Sequence, residues 1–464
     1  MKIVCCGFII LINFLNCTYC ISNEIVLRNL GIDMPAILKE LTAVIDIFTS
    51  PKLPYNEDAD LNITQLTAKY GYPVQEHHVE TEDGYILTMF RIEKKGPAVL
   101  LMHGLLMSAD DWVTAGPSDS LAYLLATAGY DVWMGNARGN KHSRQHKTML
   151  PDTEQFWNFS YDEIGRFDLP AMIDYVLNAT SKEKLAYIGH SQGTTAFFVM
   201  CSEKPVYNDK ITVMIALAPL AWTEHIKSPL ARMAAPFNYY DMALVKLFQM
   251  YEILPKPMKD LYSKTPLCEL GNGVVCTTIL FCFCGFDYEQ FNKENLPVIF
   301  GHMPSGASIH QFTHYLQNMM SRSFKRYDHG EDKNKEVYGS RKPPKYAVEN
   351  ITAPLALFYS DNDWFSDVED VNTLKNKLPN VIDFYHVPFK KFNHIDYLWA
   401  KDAKRLINRQ VPANNYTKPI PTPNLFFCFM TQPVEKFVPT NIKKTQIFWY
   451  SAHTDRENGK RMPK

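Results

Sequence analysis

The chain has 464 residues, a formal net charge of −1, 21 % charged residues and 13 % aromatic residues. That length holds one large domain with an insertion, or two domains. Near-neutral, well-mixed charge gives no footprint for nucleic acid or another polyanion as partner, and the aromatic content excludes a disordered chain.

At the start, Lys2 precedes an apolar run from Ile3 to Leu15, and a small or polar stretch, Asn16 to Cys20, follows. Residues 1–20 read as a secretory signal peptide, because the run is too short to span a bilayer as an anchor. The expected destination is the extracellular space or the lysosomal lumen. On that route the sequons at Asn62, Asn158, Asn178, Asn350 and Asn415 become usable for glycosylation. Four of the ten cysteines lie in this leader, and the six beyond it are too few for a disulfide scaffold. Residues 21–61 carry no clear period and read as a lead-in or pro-segment.

Residues 62–219 alternate strand and helix signals. His77 to Arg91 predicts two antiparallel strands turning at Glu82-Asp83-Gly84, and Ala98 to Met102 a strand covered on both faces. It ends in His103-Gly104-Leu105-Leu106. Leu121 to Gly129 predicts a helix and Tyr130 to Met134 a strand. A further helix is expected from an N-cap Asp168, with Pro170 in its first turn. Lys184 to Ile188 is again strand-like and runs straight into Gly189-His190-Ser191-Gln192-Gly193, after which helical spacing resumes at Thr194. Ile211 to Ala218 is one more buried strand. This alternation argues a parallel sheet with right-handed crossovers.

Strand, G-x-S-x-G and helix in immediate succession are the nucleophile elbow of the α/β-hydrolase fold. Ser191 must sit on a strained turn at φ > 0, so the positions two residues either side need glycine, and the helix N-terminus behind it favours developing negative charge. Acyl transfer also needs two backbone N–H donors for an oxyanion, one after the nucleophile and one from the loop after an earlier strand. Gln192 and Leu105 are the candidates.

Residues 220–346 are too long for a crossover and too apolar for a linker, and read as an inserted, mainly helical cap or lid. Within them Val274 to Phe286 is unusually apolar, either a core helix or an interfacial, acyl-binding surface. Residues 347–413 resume the core. The fold places the acid after a late strand and the histidine after the last one. Asp361-Asn-Asp363 follows the strand-like Leu355 to Tyr359, and His394 follows Val381 to Val387. His386 is a rival base, but its place inside a strand pattern favours a structural role. Residues 414–464, proline-rich and then basic, read as a poorly ordered tail.

Thr81 to Leu87, His103 to Leu106, Gly129 to Asn140, Phe156 to Glu163, Gly189 to Thr195 and Phe392 to Asp396 together make the chain resemble the acid lipases, the gastric and lysosomal lipase family, from about Asn62 to about Val411. The resemblance implies Ser191, Asp363 and His394 as the triad and Leu105 and Gln192 as oxyanion donors. It also implies a lid over the acyl site, long-chain fatty acid esters at a lipid–water interface as substrates, and no metal or organic cofactor. It further implies a disulfide between Cys268 and Cys276, with Cys284 free. The acid loop departs from the family's pattern, which carries glycines at Ser360 and Asp361 and a proline at Val368. Triacylglycerols and sterol esters both remain open as substrates. A lipid-binding or storage protein that keeps the lipase fold is the alternative, although no triad member is missing.

Overall fold

The β-branched and leucine-rich runs form the strands of a single twisted sheet. The computed structural model describes residues 55–235, 250–254 and 274–408, together with 32–33, 35–37 and 39–40. The leader, most of the lead-in, Cys268, the side chain of Cys276, Asn415 and the tail lie outside the described residues.

The strands are β1 Gln75–Glu80, β2 Tyr85–Ile92, β3 Ala98–Met102, β4 Asp131–Met134, β5 Leu185–His190, β6 Ile211–Leu217, β7 Leu355–Tyr359 and β8 Val381–His386. In space they follow the order β1-β2-β4-β3-β5-β6-β7-β8, with a short strand at Gln145–His146 paired to β2. β1 and β2 form the expected hairpin, and β2 meets β4 antiparallel. From β4 to β8 every pair is parallel.

Alternate residues of each central strand go to opposite faces of the sheet. Val99, Leu101, Val132, Ile188, Ile215 and Phe358 join one buried cluster. Leu100, Trp133, Tyr187, Met214 and Leu357 join the other. Burial on both sides is why these strands read as unbroken apolar runs.

The principal helices are α1 Ile63–Lys69, α2 Leu121–Thr127, α3 Leu169–Thr180, α4 Gln192–Glu203, α5 Pro229–Ala234, α6 Val274–Cys284, α7 Leu296–His302, α8 Ile309–Ser321, α9 Glu331–Tyr338 and α10 Val368–Lys377, with short helical turns at Tyr161–Glu163, Asp396–Trp399 and Ala403–Asn408. α2, α3 and α4 supply the crossovers from β3 to β4, β4 to β5 and β5 to β6. The described part of 220–346 is mostly helical, and α6 buries Phe281, Cys282 and Cys284 in the core.

The start of α3 corrects the sequence reading. Asp168 makes no capping bond; the helical course begins earlier, at a capping box in which Ser160 and Glu163 exchange bonds, and passes through a π-turn over Ile164–Asp168. The Asp168 carboxylate goes instead to Arg138, accepting from its backbone N–H at 3.0 Å and from Nε at 2.7 Å. Arg138 is buried, and a buried guanidinium must be paired. That requirement outcompetes a cap.

Candidate active site

Parallel strands end their chains on the same edge of the sheet, and in open α/β sheets ligands gather there. Ser191 follows β5, Leu105 follows β3, Asp363 follows β7 and His394 follows β8, so all the candidate residues arrive at one edge.

The elbow is local geometry. Ser191 has φ 52° and ψ −117°, a conformation that costs about 1–3 kcal/mol for a residue with a Cβ. The turn is bolted to the sheet by the Ser191 amide, which donates to Leu217 O at 3.0 Å. A Cβ on Gly193 would lie 2.2 Å from Met102 O, and one on Gly189 would lie 2.8 Å from the Gly193 carbonyl carbon. Both glycines are therefore required by close backbone approach, while the serine itself carries the positive φ. Gln192 is the first residue of α4, where amides have no intrahelical acceptor.

On the β3 side, His103 anchors the loop. Its Nδ1 donates to Gly104 O at 2.8 Å, and its Nε2 accepts from the Ala137 amide and from Asn140, each at 3.1 Å. Burial lowers its pKa to about 4, so it stays neutral. The next turn is strained, with Leu106 at φ 64°, and is braced from the inserted region: the Ser305 amide donates to Leu106 O at 2.8 Å. Nothing in the sequence of this loop foretold that strain.

Asp363 and His394 come together with Ser191. His394 Nδ1 lies 2.8 and 2.9 Å from the two oxygens of Asp363, and its Nε2 lies 2.7 Å from Ser191 Oγ. The carboxylate can only accept here, so Nδ1 carries the hydrogen and Nε2 presents its lone pair to the hydroxyl. Asp363 is fully buried, and its Oδ1 also accepts the Phe365 and Ser366 amides at 2.9 and 2.7 Å. The other two candidates pair with each other at the surface, where His386 Nε2 meets Asp361 Oδ1 at 2.9 Å with both side chains about half exposed. Val368 occupies the first position of α10, behind the capping Asp367, where a proline would fit as well.

Three features of the site were not read from the sequence. His190, inside the elbow motif, donates from Nε2 to His394 O at 2.7 Å, and burial lowers its pKa to about 3. The segment 284–287 straps the loops of Asp363 and His394. Cys284 O accepts the amides of His394 at 3.2 Å and Trp364 at 3.4 Å, Gly285 O accepts from Asn393, and Phe286 O accepts from Asn362. Gly285 sits at φ 104°, with space for a Cβ filled by Asn362 O at 2.2 Å. A glycine just past a helix was a legible cap signal; the contact it permits was not. Third, Gln311 of α8 donates to the side-chain oxygen of Gln192 at 2.6 Å, joining the inserted region to the elbow.

Among the described sequons Asn62, Asn158, Asn178 and Asn350 are exposed. Cys201, Cys282 and Cys284 are free and buried, and burial raises the Cys284 thiol well above its ordinary value. No helix among the described residues is long and apolar enough to cross a membrane.

Residues 63–116 match the model of a partial α/β-hydrolase lipase region, and residues 97–249 match the α/β-hydrolase fold. The chain is 42 % identical over 362 residues to Lipase 1 of Drosophila melanogaster, covering 76 % of this chain and 80 % of that one. It is 39 % identical to gastric triacylglycerol lipase of Rattus norvegicus, covering 77 % of this chain and 92 % of the relative. With the lysosomal acid lipase/cholesteryl ester hydrolase of Homo sapiens it shares 36 % identity, over 76 % of this chain and 90 % of the relative.

Proposed function

Since the chain belongs to the gastric and lysosomal acid lipase family, with the α/β-hydrolase fold and the activity of an ester hydrolase, we propose that Ser191, His394 and Asp363 are its catalytic triad and that it cleaves long-chain triacylglycerols or sterol esters. The observation that carries this reading is the unbroken run of hydrogen bonds from Asp363 through His394 to Ser191 Oγ.

In the reaction His394 Nε2 takes the proton of Ser191 as Oγ attacks the ester carbonyl, and Asp363 holds the ring in that tautomer and stabilises the imidazolium formed. The N–H groups of Leu105 and Gln192 receive the oxyanion. The imidazolium then protonates the departing alcohol, leaving an acyl-serine. Water, activated by the same imidazole, releases the fatty acid. Long acyl chains as substrates are supported by the apolar inserted region at residues 220–346, which serves as a cap, and by the relatives named for triacylglycerol and cholesteryl ester hydrolysis. The family and the leader support a secreted or lysosomal location, with glycans on the exposed sequons.

The test is covalent labelling. The mature, glycosylated enzyme should react with a lipophilic phosphonate at Ser191 and release fatty acid from emulsified triolein or cholesteryl oleate. Ser191→Ala should fold and lose about 10⁶-fold in turnover. A wild-type protein that takes no label and releases no fatty acid at any pH between about 4 and 8 would instead be a lipid carrier on a lipase scaffold.

A further inference from the structure

The strap ends in Asp287, a buried residue whose Oδ1 accepts the amides of Glu289 at 3.0 Å and Gln290 at 3.1 Å. Its Oδ2 is buried and meets no N–H or hydroxyl donor among the described residues. The neighbouring side chain there is Asp396, two residues beyond His394, and the two carboxyl groups are close enough to interact. Asp396 is buried too, and its Oδ2 accepts the Asn393 amide at 2.7 Å. Two carboxylates have no hydrogen between them, so this contact is a bond only when one of them is protonated.

We propose that Asp287 and Asp396 share one proton, and that this carboxyl pair is a positioning clasp which holds the loop of His394 against the strap from residues 284–287. The role assigned to His394 under the proposed function is the premise. The clasp acts through the backbone: Asn393, His394 and Asp396 lie on one short loop, and the strap already takes the His394 amide and the Asn393 side chain. Losing the proton places two negative charges side by side in a buried space and pushes the loop from the strap. The ionisable groups facing the pair are Asp363 from the acid loop, Cys284 from the strap, Glu289 just beyond it, and Tyr397 from the histidine loop. Burial raises both carboxyls, Asp396 well above the carboxylate range. A raised acid contributes fully below its ordinary pKa and loses that contribution as pH rises through the folded value, so the clasp opens on the alkaline side.

Asparagine at either position mimics the protonated acid. In Asp287→Asn the carbonyl oxygen stays with the two amides and the NH₂ turns to Asp396; in Asp396→Asn it stays with Asn393 and the NH₂ turns to Asp287. Each single variant should lower kcat by no more than about twofold at acid pH and move the alkaline limb of the kcat profile up by about one pH unit or more. The double variant, with no acid left to accept, should lose about 10²-fold in kcat at every pH, far beyond the product of the singles. Infrared spectroscopy of the free enzyme should find the C=O stretch of a buried protonated carboxyl at neutral pH, diminished in each single variant. That measurement needs no substrate, so the loss of band intensity in the single variants judges the clasp even if Ser191 takes no phosphonate label. An unmoved alkaline limb in both single variants, or an unchanged band, would overturn the proposal and leave the pair a packing element.

Discussion

The two halves of the site are held by different means. The Ser191 side is built from consecutive residues: β5, the turn at Ser191 and α4 follow one another, and the positions of Gly189 and Gly193 are set by backbone atoms of the turn and of the adjacent β3. The histidine side is built from pieces far apart in the chain. His394 has its amide taken by Cys284, its carbonyl by His190 and its ring by Asp363. A strained serine can be specified by its neighbours because strain is a matter of φ and ψ. An aligned imidazole must be fixed at three points, and no local sequence supplies three. Ser191 should therefore tolerate damage to the strap, while His394 should not.

The largest expected effect distinguishes the two aspartates of the acid loop. Asp363→Asn leaves His394 in the wrong tautomer and should lower kcat by about 10⁴, whereas Asp361→Asn, which only unties the surface pair with His386, should change it less than about threefold. Steady-state kinetics on both variants checks this, and equal losses would mean that the orienting acid has been misidentified.

A smaller effect probes the strap itself. In Gly285→Ala the new Cβ would collide with Asn362 O, so the strap must lift from the loops of Asp363 and His394. We expect kcat to fall about 10²-fold with KM nearly unchanged, since alignment of the base is lost and the acyl site is not. If KM rose and kcat held, the strap would belong to substrate binding and the contrast between the halves would fail.

The smallest effect separates stability from alignment. Asp111, in the turn after the oxyanion loop, is buried, accepts the Ser108 amide at 2.7 Å, and is pushed up to about 7 by burial. Its contribution to stability is complete below the ordinary carboxylate range and is lost as pH rises through about 7. Asp111→Asn keeps the acceptor and removes the titration, so its Tm should fall less than the wild type's between about pH 4.5 and 7.5, by a few degrees. The alkaline limb of kcat should stay where it is, opposite to the clasp variants.

The sequence by itself determined the sheet and the order in which chemistry is attached to it. Doubly buried strands must be continuous apolar runs, an elbow must carry glycines around its serine, and the nucleophile, acid and histidine must follow successive strand ends; each of these is a local constraint written in adjacent residues. The family was legible for the same reason, in motifs such as Gly189 to Thr195 and Phe392 to Asp396. Only the tertiary structure decided what depends on meeting. Asp168 looked like a cap and became the partner of a buried arginine. Asp361 and Asp363 were equivalent by spacing until one was buried against His394 and the other was left with His386 in solvent. The apolar run from Val274 to Phe286 read as a core helix more than as a lipid surface; its described end is buried, and it continues into the strap that ties the loops of Asp363 and His394. Desolvation and hydrogen-bond satisfaction depend on which distant groups surround a side chain, so they are properties of the folded arrangement and not of a stretch of sequence.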